Sequence, residues 1–119
     1  ELSRLMLCIS NLTSNYYKLS CLIFDEIDTG VSGEIADLMS EMMKNISQNK
    51  QVISVTHLPQ IASKAKNHYK VFKNEMLNKT VTEIKLLNTD ERVIEIAKML
   101  SGKKVTDTSI SNAKELLNQ

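Results

Sequence analysis

Cys21-Leu22-Ile23-Phe24 is an unbroken apolar run that stops at two carboxylates, Asp25 and Glu26. A strand without polar alternation is one with both faces covered, as in a parallel sheet. Gln51 to Thr56 repeats the strand signature, and between the two lies a helical stripe of Ile35, Leu38, Met39, Met42, Met43 and Ile46. Strand, helix and strand at this distance predict a right-handed crossover with the strands parallel. Both strands then end at one sheet edge, where α/β folds bind their ligands. Asp25-Glu26 and Thr56-His57 are thereby expected to share a crevice.

The remaining pattern is mostly helical. Leu2, Leu5, Met6, Ile9 and Leu12 recur every three or four residues, which predicts an amphipathic helix from 2 to about 15. Glu1 already reads as helical, no capping residue precedes it and there is no initiator Met, so residues upstream are expected. Ser32 suits the cap of the second helix, with Glu34 in its first turn. Pro59 fits the first turn of a short helix over 59–66. His68 to Lys73 and Thr80 to Leu87 read as a hairpin around Asn74 to Lys79. Asp90 and Gly102 bracket a helix whose inward residues are Val93, Ile96, Ala97 and Leu100. Ser109 can open a last helix with Ile110, Ala113, Leu116 and Leu117 inward. The expected fold is α/β, a mostly parallel core sheet flanked by helices, with a C-terminal hairpin and two closing helices.

Composition narrows the functional classes. A chain of 119 residues supports one core. Fifteen Lys and Arg against fourteen Asp and Glu leave a charge of +1, so no global positive field marks a nucleic-acid binder. No apolar stretch reaches the roughly 20 residues of a membrane span, and no signal peptide opens the chain, which makes the cytoplasm the default compartment. Cys8 and Cys21 stand in apolar surroundings outside any CxxC pattern and are expected as buried, reduced thiols. The only glycines, Gly30, Gly33 and Gly102, lie in no GxxxxGK[ST] pattern, so a self-contained phosphate cradle is excluded.

Asp25 and Glu26 can divide labour, one carboxylate meeting a Mg²⁺ shell, directly or through water, while its neighbour reaches a water. Their plainer reading is a pair of solvated residues capping a turn. His57 can hydrogen-bond a phosphate or a water, and read alone it is a satisfied turn residue. A haloacid-dehalogenase arrangement fails because Asp25 and Asp28 are three apart, and an EF-hand loop fails because Ile27 stands where an oxygen ligand is needed. His68 reads as structural. Lys64, Lys66, Lys70 and Lys73 read as a solvated basic face.

Three stretches carry a more specific signal: Glu1-Leu2-Ser3-Arg4, Leu22-Ile23-Phe24-Asp25-Glu26-Ile27-Asp28-Thr29-Gly30-Val31-Ser32-Gly33, and Thr56-His57-Leu58-Pro59-Gln60-Ile61-Ala62. With Glu95 to Gly102 and Ala113 to Leu117, they resemble the C-terminal part of the RecN family, bacterial DNA double-strand-break repair ATPases related to the structural-maintenance-of-chromosomes (SMC) proteins. The resemblance implies that residues 1–119 are the C-terminal lobe of an ABC-type P-loop ATPase head. Asp25 would end the Walker B strand and orient Mg²⁺, and Glu26 would polarise the attacking water. Asp28 would belong to the D-loop that crosses to a partner head, and His57 would be the switch histidine near the γ-phosphate. Ser3 would lie in the tail of the signature motif, on the nucleotide side. The Walker A loop, the Q-loop and the Ser-Gly-Gly of the signature are absent, so the resemblance implies half an active site. ATP and Mg²⁺ would bind only in the full-length protein, with the N-terminal lobe of the same head, a second such head in a homodimer, and DNA as partners. The setting would be cytoplasmic and nucleoid-associated, without a membrane, and the chain alone would be inactive. The rival expectation is a non-enzymatic module that assembles with other chains.

Overall fold

The computed structural model describes residues 2–76, 79–102 and 104–118. The elements run α1 (Leu2–Tyr16), β1 (Cys21–Asp25), α2 (Glu34–Ile46), β2 (Gln51–Val55), α3 (Pro59–Lys64), β3 (Tyr69–Met76), β4 (Lys79–Leu86), α4 (Thr89–Ser101) and α5 (Asp107–Leu117). They gather into two compact units, one reaching to Lys64 and one over Ala65–Asn118, where chain length alone predicts a single core.

In the first unit β1 and β2 pair in parallel, in register from Cys21 opposite Gln51 to Asp25 opposite Val55. Leu7, Phe24, Met39, Met43, Ile46 and Ile61 form the buried cluster, with Leu22, Val52 and Leu58 packed against it. Burial of such side chains stabilises by roughly 1.5–3 kcal/mol each, which makes this cluster the unit's main source of stability. The alternation of burial along β1 departs from the expected strand covered on both faces. Phe24 is buried, whereas Ile23 is 70% exposed, and Ile53 and Val55 of β2 face outward with it. The stripe on α1 departs further: Leu2, Leu5, Met6, Ile9 and Leu12 are all exposed, and the helix rests on its core through Leu7 and Ser14. Apolar periodicity identifies a helix, but it does not say which face finds a partner within the unit. Leu38 is likewise exposed, while Met39 and Met43 of the same stripe are buried.

Helix ends explain other differences. The N-cap of α2 is Gly33, at φ 56°, with no side-chain capping bond, so Ser32 does not cap it. Glu34 and Asp37 in the first turn complement the helix dipole instead. Lys50 closes the other side of the unit, its Nζ donating to the carbonyls of Ser14 at 3.3 Å and Leu19 at 3.0 Å. Those acceptors belong to the end of α1 and the entry to β1. The short helix α3 stops at Lys64, two residues before the expected end. Cys8 is exposed and Cys21 half-buried, both free, so the expected pair of buried thiols is not formed.

In the second unit β3 and β4 pair antiparallel from Tyr69 opposite Leu86. The strands extend into the expected loop, whose residues 77 and 78 lie outside the described residues. α4 is capped by Asn88 in a reciprocal capping box with Glu91, not by Asp90. α5 is capped by Thr106, and Ser109 is the third residue of that box rather than its cap. Gly102 ends α4 as expected, at φ 75°. Ile96, Ala97 and Ala113 are the buried apolar residues of α4 and α5. Lys70 pairs with Glu95 at 2.5 Å in this unit and Lys64 with Glu41 at 2.5 Å in the other, so two of the four basic residues are already neutralised within the chain.

Candidate functional site

Parallel pairing fixes the site. Because Asp25 lies opposite Val55, β1 and β2 finish level, and the residues after them emerge at the same edge. The Glu26 N–H donates to the Val55 carbonyl at 3.0 Å, carrying the pairing one residue past β1. Glu26 then turns sharply, at φ 47°, a left-handed conformation that costs a side-chain-bearing residue free energy. The turn is closed from within: the Glu26 carbonyl accepts from the Thr29 N–H at 3.2 Å and the Thr29 hydroxyl at 2.9 Å, and the Asp28 carbonyl accepts from the Val31 N–H at 3.0 Å. Gly30, at φ 75°, supplies the second left-handed position.

The three acidic residues of this turn face different surroundings. Asp25 and Glu26 are exposed, whereas the Asp28 side chain is 1% exposed. Asp28 Oδ2 accepts from the Thr56 hydroxyl and from the His57 N–H at 3.3 Å, and it stands 3.6 Å from His57 Nδ1. Thr56 Oγ1 accepts in turn from the Leu58 N–H at 3.0 Å. Asp28 Oδ1 is buried with no hydrogen-bond partner among the described residues. The His57 side chain is 62% exposed. The edge therefore joins Asp25, Glu26 and His57, as the strand order leads one to expect, and brings the buried Asp28 beside His57. Ser3 lies in the first turn of α1, partly buried, with no hydrogen bond to the acidic turn among the described residues. Sequence reasoning missed the part played by Thr56, whose hydroxyl links Asp28 to the turn after β2. It also missed Gln60, whose side-chain oxygen is buried without a hydrogen-bond partner among the described residues.

The donor set sets limits on a metal. Among the described residues no three His, Cys, Asp or Glu side chains gather in a way that could hold an ion. Mg²⁺ needs no such cage, being commonly held by one or two carboxylates together with substrate phosphates and retained waters. An exposed Asp25 beside an exposed Glu26 fits that mode, provided the phosphates are gripped elsewhere. Among the described residues no helix is long and apolar enough to cross a membrane.

The architecture matches a known class. The chain superposes on a solved structure from work on ATP-driven dimerization and DNA-stimulated activation of SMC ATPases, with a TM-score of 0.62 over 77% of this chain and 54% of that one, at 17% identity. Over that span it shares the fold of the SMC ATPase structure. Along its sequence the chain is homologous to the C-terminal region of DNA repair protein RecN. It is 43% identical to RecN of Bacillus subtilis over 119 residues, 45% identical to that of Rickettsia bellii over 117 and 41% identical to that of Halalkalibacterium halodurans over 118. These alignments take in 98–100% of the chain, which spans about a fifth (21%) of the length of each relative. No protein-family model matches it.

Proposed function

We propose that residues 1–119 are the C-terminal lobe of an ATPase head that acts in DNA repair, and that the lobe contributes the hydrolytic residues while the phosphate cradle comes from an N-terminal lobe. The observation that carries this reading is the level ending of β1 and β2, which sets two carboxylates and a histidine at one edge. When bound, Mg²⁺ supplies charge neutralisation at the phosphates, the main requirement of phosphoryl transfer. Asp25 fits the metal shell. Glu26, held in its left-handed turn with an exposed carboxylate, is placed to orient a water as general base. His57 presents an exposed imidazole for the γ-phosphate region, Asp28 lies in the D-loop turn, and Ser3 belongs to the tail of the signature motif on the nucleotide side. A second head, DNA and a nucleoid setting in the cytoplasm complete the proposal. The exposed stripe of α1 favours a second reading, a module that assembles with other chains without catalysing anything.

Side-by-side ATP binding and steady-state hydrolysis in a full-length protein carrying this chain separate the two. Glu26→Gln should bind ATP while turnover falls by about 10²-fold or more, the scale for loss of a positioned base. Asp25→Asn should weaken Mg²⁺-dependent binding itself, and His57→Ala should bind but turn over slowly. Normal turnover in all three variants would leave only the assembly module.

A further inference from the structure

The three acidic residues at the end of β1 and in the turn after it are not equivalent: Asp25 and Glu26 are exposed, whereas Asp28 is buried. Asp28 sits among residues of its own unit with its carboxylate removed from water, an arrangement whose cost must be met by well-placed donors. Its donors are the Thr56 hydroxyl and the His57 main-chain N–H, both on the turn that leaves β2. Through Thr56 Oγ1 the same carboxylate reaches the Leu58 N–H, so three successive residues are tied to one side chain. The same oxygen, Oδ2, stands beside His57 Nδ1, and the imidazole is otherwise mostly in solvent.

We propose that Asp28 is a positioning residue for His57, holding its backbone and drawing the imidazole proton to Nδ1, so that Nε2 is presented outward as an acceptor. A ring nitrogen facing a carboxylate carries the proton, and the choice of tautomer follows from that contact. Asp28 thus works through its own chain, its carboxylate buried against the turn that leaves β2. The functional consequence rests on the reading of His57 given above; the positioning does not.

Nitrogen-15 NMR of the histidines reports the tautomer directly, with His57 assigned by its loss in His57→Gln. At a pH where the imidazole is neutral, the wild-type chain should show His57 mainly as the Nδ1–H form, although an unconstrained histidine favours Nε2–H. Asp28→Asn should shift the balance towards Nε2–H. A wild-type His57 already in the Nε2–H form overturns the proposal without any variant, and so does a folded Asp28→Asn chain with an unchanged tautomer. In a full-length protein the turnover of Asp28→Asn, His57→Ala and the double variant completes the test. If Asp28 acts through His57, the double variant is no slower than His57→Ala. Independent, multiplying losses would overturn the inference. Unchanged turnover in His57→Ala would instead remove the role assigned to His57 in hydrolysis, leaving the tautomer result to decide the positioning.

Discussion

The main-chain N–H of Glu26 donates to the carbonyl of Val55 at 3.0 Å, while Glu26 itself is at φ 47°. The last bond of the parallel ladder is therefore made by the residue that breaks away from it. Side-chain-bearing residues are disfavoured in the left-handed region by about 1–2 kcal/mol, and such positions cluster where geometry serves function.

Replacing that residue by glycine separates stability from function. Glu26→Gly should stabilise the first unit by about 0.5–1 kcal/mol, because relief of the left-handed cost outweighs the extra freedom of an unfolded glycine. Glu26→Gln keeps the Cβ and should leave stability unchanged. Thermal unfolding of the two variants is the comparison, and equal midpoints would show that the turn is not strained.

The caps offer a sharper contrast. Asn88→Ala removes the side chain that accepts the Glu91 N–H, and Thr106→Ala does the same for the Ser109 N–H, so each should cost about 1 kcal/mol. Ser32→Ala should be close to neutral, since the N-cap of α2 is Gly33 and no side chain caps the helix. Denaturant midpoints measure all three, and a Ser32→Ala cost as large as that of Asn88→Ala would contradict the assignment.

His68 gives the second unit a pH dependence. Burial, chiefly, and then the positive charge of Arg92 lower its pKa from 6.5, with Lys70 acting in the same sense and Glu95 opposing. Its Nδ1 is buried without a hydrogen-bond partner among the described residues. The unfolded chain takes up a proton near pH 6.5 while the folded one still resists it, so the unfolded state binds more protons as pH falls. This contribution is full above the unfolded value and is lost as pH drops through it towards the lower folded value. Unfolding monitored in the second unit should thus show greater stability at pH 7.5 than at pH 5.5, and His68→Gln should reduce the difference. An unaltered difference in the variant would remove His68 as its cause.

The exposed apolar surfaces of the first unit should be adhesive. Leu2, Leu5, Met6, Ile9 and Leu12 on α1, with Ile23, Ile53 and Val55 on the sheet, leave apolar area in water. The 119-residue chain should associate as concentration rises, and Leu5→Lys combined with Ile9→Lys should reduce that association without loss of helix content. Sedimentation velocity reads the outcome; a clean monomer throughout the micromolar range for the wild-type chain would contradict it.

These surfaces also show what a sequence conveys. Period and turn chemistry located all the helices and strands over the described residues to within a few positions, because local hydrogen bonding and apolar spacing act over one or two turns. Asp25, Glu26 and His57 could be brought to one edge because strand order and parallel pairing decide it. Burial was harder to read. Leu7 and Ser14, not the Leu5–Ile9–Leu12 stripe, face inward on α1, since facing depends on what lies opposite rather than on spacing. Nor does the order Asp25, Glu26, Asp28 reveal that only the third carboxylate is enclosed; that follows from the left-handed step at Glu26, which local propensity disfavours.

The tie made by Lys50 has a mechanical consequence. α1 is a 15-residue rod, about 22 Å long at 1.5 Å per residue. Its far end is pinned by the ammonium group that grips the Ser14 and Leu19 carbonyls. A tilt of about 5° about that pin would move Ser3, about 16 Å away along the helix, through about 1.4 Å. Lys50 immediately precedes β2 and Leu19 lies just before β1, and the Gln51 N–H donates to the Ser20 carbonyl at 2.8 Å. Torque applied along α1 is therefore delivered through Lys50 to the roots of both strands at once, alongside the seat that Leu7 gives the helix in the core.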